Sequence, residues 1–212
     1  MEQYPSIRVG ANSSARFRND VVEALEKINE GPSGRRLLQQ IEGLSTREKV
    51  VTIVEAGANV APVATARLTP RQQNKLGEHP WQHEHDSAIM KYAGGSSRFK
   101  TRGTASEIPW NKHTAEPNLS RQGVPTEGTN PDEAFITLAH ELVHAKHHLA
   151  GTMKGDGTLT RDASCASTPS GKEELRAVGL GKYANSGEPS ENSIRREHGL
   201  PKRETYSLSG NW

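Results

Sequence analysis

Residues 130–151 have the sequence NPDEAFITLAHELVHAKHHLAG, which predicts a helix with both ends marked. Asn130 can accept a backbone N–H bond as the N-cap, and Pro131 suits the first helical position, where its missing N–H costs nothing. Gly151 offers a left-handed end. Apolar residues recur at spacings of three and four, namely Phe135, Leu138, Leu142, Ala145 and Leu149. One face of the predicted helix is therefore expected to pack against a hydrophobic core.

Within this helix two histidines, His140 and His144, are four residues apart, and Glu141 directly follows the first. With a rise of about 1.5 Å per residue, the two imidazoles stand one turn apart, about 6 Å along the axis, so both can reach one zinc ion. The Glu141 carboxylate can then take a proton from a zinc-bound water. The pattern predicts a zinc-dependent hydrolase. The alternative is a solvated His/Glu face, because such spacings also arise by chance on charged helices.

The composition predicts one domain with a modest core. The chain has 212 residues, of which 32% are hydrophobic, a mean hydropathy of −0.77 and a formal net charge of +2. Both signs of charge are interspersed, which argues against nucleic acid as a partner. No apolar run approaches the roughly 18 residues of a membrane span. The single cysteine, Cys165, cannot form an internal disulfide, which favours a reducing compartment.

The segments before the central helix predict short elements. Residues 1–18 carry little apolar material and are expected to form a flexible leader, with the folded domain at 19–212. Helices are predicted at 19–30 and after the break at Gly31-Pro32, and strands are predicted at 49–54, 60–66, 88–93 and 106–110. We expect residues 104–110 to form the sheet edge that binds an extended substrate by backbone hydrogen bonds.

Another histidine group, His79, His83 and His85, lies in this region. Pro80 and Trp81 separate the two histidines that are four apart, and no carboxylate follows the first. A polar loop is expected there rather than a second metal site.

A catalytic zinc site needs a third protein ligand and an open fourth position. Residues 171–179, GKEELRAVG, predict a short helix, and the 30 positions between His144 and Glu174 allow the chain to return across the site. From the residues alone, Glu173 and Glu174 are nearly equal candidates. The alternative is a solvated helix start, where acidic residues are favoured anyway. His148 is two turns from His140, about 12 Å along the axis, which is too far for one shared ion.

The end of the chain predicts one more helix and a polar pair. Ser190 can cap a helix from Glu191 to His198, which Gly199 would end. Arg203 and Tyr206 follow, three residues apart. A guanidinium and a phenol beside a tetrahedral oxyanion would stabilise the negative charge that builds up during peptide hydrolysis. The alternative is that Arg203 and Tyr206 are ordinary surface residues with no part in a site.

Several motifs in one order resemble known zinc proteases. Residues 137–147, TLAHELVHAKH, resemble the active-site helix of clostridial neurotoxin light chains, and residues 173–176, EELR, resemble the segment that carries their glutamate zinc ligand. Glu191 and the Arg203-x-x-Tyr206 pattern match their glutamate behind the metal and their transition-state Arg/Tyr pair. The size and the E-N-x-x-R and G-L-P-x-R-x-x-Y patterns look still more like a smaller family. These are the type III secreted zinc metallopeptidase effectors of Gram-negative pathogens, NleD-like in animal pathogens and HopH/XopG-like in plant pathogens. The resemblance covers residues 130–206, is weaker over 18–60 and is absent from 60–128.

This resemblance implies a fold class and a set of roles. The fold implied is α+β, a small gluzincin-like zincin domain with a short mixed sheet, the HExxH helix and C-terminal helices. The implied Zn²⁺ ligands are His140, His144 and Glu174, and the implied general base is Glu141. Arg203 and Tyr206 would stabilise the oxyanion. Glu191 and Glu173 would orient the metal ligands or the oxyanion-stabilising groups from the side away from the metal.

The resemblance also implies a setting for the activity. It implies delivery through a type III system into the host cytoplasm, with a secretion signal in residues 1–18 and a secretion chaperone as a partner. The implied substrate is a host signalling or immune protein, a MAP kinase by family resemblance only. Two alternatives remain open, a non-catalytic effector that binds a host target and has a structural zinc site, and a bacterial regulatory gluzincin.

Overall fold

A mixed sheet and a set of helices surround one long central helix in the computed structural model, which describes residues 3–57, 60–76, 86–94, 103–113, 117–154 and 167–206. The helices of this described part are α1 (Ala15–Glu30), α2 (Pro32–Leu44), α3 (Pro70–Leu76), α4 (Asp86–Ala93), α5 (Ala134–Ala150), α6 (Pro169–Val178) and α7 (Glu191–Glu197). Its strands are β1 (Ile7–Val9), β2 (Val51–Glu55), β3 (Thr65–Arg67), β4 (Ala105–Trp110), β5 (Pro117–Leu119) and β6 (Pro125–Thr129). The predicted α+β class with a short mixed sheet is confirmed.

The main sheet has the strand order β1-β2-β4-β3. The strands β1, β2 and β4 run parallel, and β3 is antiparallel to β4. Ser106, Ile108 and Trp110 alternate along β4 and are buried, and Ser106 Oγ lies 3.0 Å from His148 Nδ1 of α5. This alternation identifies the face of β4 that packs on the central helix.

The expectation that residues 104–110 form an open sheet edge is wrong. Thr52 of β2 and Thr65 of β3 both pair with Glu107, from opposite sides of β4. Among the described strands, β3 is the terminal one on this side. The alternation of side chains shows which face of a strand is buried but carries no information about how many neighbours the strand has.

The ends of the central helix follow its sequence. The Asn130 side chain accepts a hydrogen bond from Asp132 N at 3.1 Å, and a 3-10 turn at Pro131–Glu133 leads into α5. Gly151 ends the helix in the left-handed conformation, with φ of 66°. Every residue from Ala134 to Leu149 is buried, not only the apolar stripe that the spacing predicted. The central helix therefore carries its charged side chains inside the protein.

Two local predictions need correction. Residues 1–18 do not form a separate leader over their described part, because β1 pairs in parallel with β2 and α1 begins at Ala15. Tyr4, Ile7 and Phe17 are buried, so a few well-spaced apolar residues suffice where the partner strand lies far along the chain. The secretion signal assigned to this segment stays a prediction.

The second correction concerns residues 88–93, which belong to α4 rather than to a strand. A short apolar run does not distinguish a strand from a buried helix by its periodicity. The histidines of the 79–85 segment and Cys165 lie outside the described residues. None of the helices in the described part combines the length and the apolar composition that crossing a bilayer requires.

Candidate metal centre

Three side chains from two helices meet at one point. His140 Nε2 lies 3.0 Å from His144 Nε2 and 3.1 Å from Glu174 Oε2, and the latter two atoms are 3.3 Å apart. The imidazoles come from successive turns of α5, and the carboxylate comes from α6. Thr168 Oγ1 accepts a hydrogen bond from Gly171 N at 3.0 Å, which fixes the start of α6. The start of the helix sets the position of Glu174 along α6, on the side that faces the two histidines.

The size of this triangle fits a zinc ion. At zinc–ligand distances of about 2.0–2.2 Å, tetrahedral geometry places neighbouring ligand atoms about 3.3–3.6 Å apart. Two imidazole nitrogens and one carboxylate oxygen are also the donors that zinc prefers. Among the described residues no fourth His, Cys, Asp or Glu completes this group. Three protein ligands are typical of a catalytic site, which keeps one position for water.

The charges around the triangle favour a cation. Burial lowers the pKa of His140, but the carboxylates of Glu174 and Glu191 outweigh burial and raise it to about 10. Burial raises the pKa of Glu174, yet the charges of His144 and His140 hold it well below its usual range. The surroundings therefore stabilise positive charge between these side chains, whether a proton or a metal ion carries it.

Glu191 lies behind His140. Its Oε2 accepts a hydrogen bond from His140 Nδ1 at 3.0 Å. In the neutral ring this bond places the proton on Nδ1 and leaves the lone pair of Nε2 for the triangle. Arg195 Nε donates to Glu191 Oε1 at 2.8 Å, and Arg203 Nη1 donates to Oε2 at 3.2 Å. Although burial raises the pKa of Glu191, the guanidinium of Arg203 and the imidazole of His140 hold it well below its usual range. Glu191 is thus an ionised carboxylate that orients one candidate ligand.

Glu173 lies near the outer nitrogen of the second histidine, His144. Its Oε1 is 3.4 Å from His144 Nδ1 and also contacts His147 Nδ1, and its Oε2 accepts a hydrogen bond from Lys154 N at 3.0 Å. The alternative between neighbouring carboxylates in α6 has a geometric answer. Glu174 faces the two Nε2 atoms of the triangle, and Glu173 faces Nδ1 of His144 and Nδ1 of His147.

Glu141 is buried next to the triangle. Its Oε2 accepts a hydrogen bond from the backbone N–H of Ala64, just before β3, at 2.5 Å. Burial raises its pKa to about 7. A carboxyl group with this pKa can accept and release a proton near neutral pH.

The Arg203 and Tyr206 side chains lie beside His140. The rings of Tyr206 and His140 are stacked, with centroids 6.4 Å apart and planes inclined by 24°. The Arg203 guanidinium lies 4.9 Å from the centroid of the Tyr206 ring and donates to the carbonyls of Thr205 at 3.1 Å and Tyr206 at 2.7 Å. The structure therefore brings together all eight residues that the sequence nominated.

Sequence reasoning missed several partners of these residues. Arg195 joins Glu191 to Glu133, since its Nη1 donates to Glu133 Oε2 at 2.8 Å. The spacing of four between Glu191 and Arg195 is the usual spacing of a helical ion pair and could have predicted this contact. The Ala64 contact is made by backbone, so no side-chain pattern could have indicated it.

Comparisons with known proteins place the chain in a family. The structure resembles the catalytic domain of Clostridium botulinum neurotoxin serotype F at 14% identity and a TM-score of 0.44, covering 86% of this chain and 46% of that one. It also resembles the Clostridium botulinum neurotoxin serotype F light chain, at 14% identity and a TM-score of 0.46, covering 86% of this chain and 48% of that one. For the botulinum neurotoxin type G light chain the identity is 15% and the TM-score 0.37, covering 64% of this chain and 37% of that one.

The chain thus spans less than half the length of these neurotoxin chains. A search of curated protein sequences finds no match. The family model described as Peptidase_M91, effector protein, matches residues 6–206, nearly the whole chain. The chain therefore belongs to the Peptidase_M91 effector protein family.

Proposed function

We propose that this protein is a zinc-dependent endopeptidase that is delivered into host cells and cleaves a host signalling or immune protein. The observation that carries the proposal is the convergence of His140, His144 and Glu174 donor atoms within 3.3 Å, next to a buried Glu141. Membership of an effector peptidase family supports both the reaction class and the host setting.

His140, His144 and Glu174 would hold the Zn²⁺. The bound ion would supply Lewis-acid activation of a water molecule and of the scissile carbonyl. Glu191 accepts a hydrogen bond from the outer nitrogen of His140, and the Glu173 carboxylate lies 3.4 Å from the outer nitrogen of His144. Both carboxylates would favour the ring orientations that direct the Nε2 atoms at the ion.

Glu141 moves the proton. The Ala64 N–H holds Oε2, which leaves Oε1 to accept a proton from the attacking water and to pass it to the leaving amine. The raised pKa of about 7 suits both transfers at neutral pH. Tyr206 and Arg203 stabilise the negative charge that develops on the carbonyl oxygen, Tyr206 from beside His140 and Arg203 through its contact with the Tyr206 ring.

The substrate lies in an extended conformation along β3. This strand ends the sheet on the side of the site, and the residue before it, Ala64, contacts Glu141. An extended peptide adds to such an edge through backbone hydrogen bonds, which select for backbone shape rather than for one sequence. Sequence preference then comes from the loops, and a MAP kinase substrate rests on family resemblance alone. Delivery through a type III system, with a secretion signal in 1–18 and a chaperone, belongs to the same proposal.

The test compares wild-type protein with Glu141→Gln in cultured host cells. New protein N-termini, mapped by mass spectrometry, should appear with the wild type and be absent with Glu141→Gln, while both purified proteins contain one zinc per chain. Glu26→Gln, which changes an exposed glutamate of α1, is the matched control and should behave as wild type. Identical N-termini with wild type and Glu141→Gln would remove Glu141 from the chemistry. Toxicity to the host cells without any new N-termini would favour the alternative, a non-catalytic effector that binds a host target and has a structural zinc site.

A further inference from the structure

The segment that carries Arg203 and Tyr206 is held on one side by α7. The Arg203 N–H donates to Asn192 Oδ1 at 2.7 Å, and Asn192 Nδ2 donates to the Arg203 carbonyl at 2.8 Å. Both residues are buried. A single side chain therefore makes the pair of backbone bonds that a neighbouring strand would make, and it does so at the residue that contacts Glu191.

The turn between β5 and β6 holds the same segment on its other side. The Gly123 carbonyl accepts a hydrogen bond from Glu204 N at 2.8 Å. Gly123 has a φ of +74°, and a Cβ atom there would lie 2.0 Å from the Lys202 carbonyl oxygen. The turn and the segment therefore lie so close together that only glycine can occupy position 123. Neither contact is local, since the turn lies about 80 residues before the segment.

We propose that Asn192 and Gly123 are positioning residues that clamp residues 202–206 and thereby set the place of Tyr206 beside His140. This inference rests on the proposed function, because it assigns the clamp to the oxyanion-stabilising pair. The clamped backbone continues into Tyr206, whose ring centroid is 6.4 Å from that of His140. A shift of about 1 Å in such a group can cost about 100-fold in rate, so a hairpin that need not touch the substrate can still control turnover.

Hydrogen–deuterium exchange of the metal-free full-length chain tests the clamp directly. In Gly123→Ala the amides of residues 202–206 should exchange about 5- to 10-fold faster than in the wild type, the factor that corresponds to one lost hydrogen bond. Gly187→Ala is the matched control, because Gly187 has the same φ of +74° and nothing within 4 Å of an added Cβ. It should leave exchange of 202–206 unchanged. The clamp would be overturned if the amides of residues 202–206 exchanged at the wild-type rate in Gly123→Ala. It would also be overturned if exchange were accelerated equally in both variants.

Asn192→Asp gives a second route should Gly123→Ala fold poorly. The aspartate keeps the shape and the acceptor for Arg203 N–H, but it turns an oxygen towards the Arg203 carbonyl in place of the amide donor. Faster exchange at 202–206 is expected here too, and wild-type exchange would contradict the role of Asn192.

Kinetics of the zinc-loaded protein test the consequence for catalysis. On the first cleaved peptide found by N-terminus mapping, Gly123→Ala should lower kcat by about 10- to 100-fold with KM and zinc content unchanged, as expected when oxyanion stabilisation is misplaced. Faster exchange with wild-type kcat would refute the positioning role. A wild-type chain without peptidase activity would refute the proposed function, and the exchange data would still decide the clamp.

Discussion

Zinc should raise the thermal stability of the wild-type chain and should lose this effect when Glu174 is changed to Gln. The triangle of donor atoms, with sides of 3.0–3.3 Å, exists only in the folded state, because α5 and α6 supply ligands 30 residues apart. A ligand that binds only the folded state at 100 times its Kd stabilises it by about 2.7 kcal/mol. For a domain of this size, that corresponds to a rise in Tm of about 5–11 °C.

Glu174→Gln keeps the volume of the side chain but replaces an anionic ligand with a neutral amide. Even a 100-fold loss of affinity, the upper range for changes just outside a metal's ligands, would reduce the stabilisation at the same zinc concentration to about 0.4 kcal/mol. The rise in Tm should then shrink to about 1–2 °C. Because each variant is compared with and without zinc, an intrinsic effect of the substitution on folding cancels.

The assay is differential scanning fluorimetry of chelator-treated protein with added ZnCl₂, read together with bound zinc per chain. Glu26→Gln is again the control and should show the full wild-type shift. A wild-type shift with one tightly bound zinc in Glu174→Gln would show that Glu174 is not a ligand. If zinc did not raise the Tm of the wild-type chain, the proposal of a zinc site would be refuted.

Three further predictions concern the supporting residues. Glu191→Gln removes the negative charge that faces the buried guanidinium groups of Arg195 and Arg203. Urea titrations should show a loss of about 3–5 kcal/mol in the free energy of unfolding. A loss below about 1 kcal/mol would show that the Glu191 charge is dispensable. Glu197→Ala removes the carboxylate that accepts from Ser33 N at 3.0 Å at the start of α2, and we expect urea titrations to show a loss of about 0.5–2 kcal/mol. Burial lowers the pKa of His148 to about 3. Below pH 6.5 this histidine is therefore protonated in the unfolded chain but stays neutral in the folded chain. Stability should fall by about 1.7 kcal/mol from this group between pH 6.5 and 5, and an equal fall in His148→Gln would contradict its assignment.

Helix boundaries and the approach of His140 to His144 were predictable because their causes are local. Asn130 and Gly151 mark the ends of the central helix through contacts within a few residues. Ser190 caps α7 in the same way, accepting from Ser193 N. The spacing of His140 and His144 fixes their approach once the helix forms. Local patterns of this kind survive in any tertiary context that keeps the helix.

Pairings across the chain were not predictable by the same means. Nothing in residues 104–110 indicates that β4 has neighbours on both sides, and nothing near Ala64 indicates that its backbone contacts Glu141. The parallel pairing of β1 with β2 joins segments about 40 residues apart. Such contacts depend on which elements pack together in the core. The residues around each partner carry no local pattern that indicates the other partner.

The burial of the central helix ties the site chemistry to the stability of the fold. Each polar side chain of α5 near the site finds its partner on a different distant element, with Glu191 from α7, Glu173 from α6 and the Ala64 N–H from the approach to β3. A buried charge that loses its partner costs several kcal/mol, so these elements cannot separate from α5 without a large penalty. Variants of the supporting carboxylates should therefore lower stability and metal affinity together.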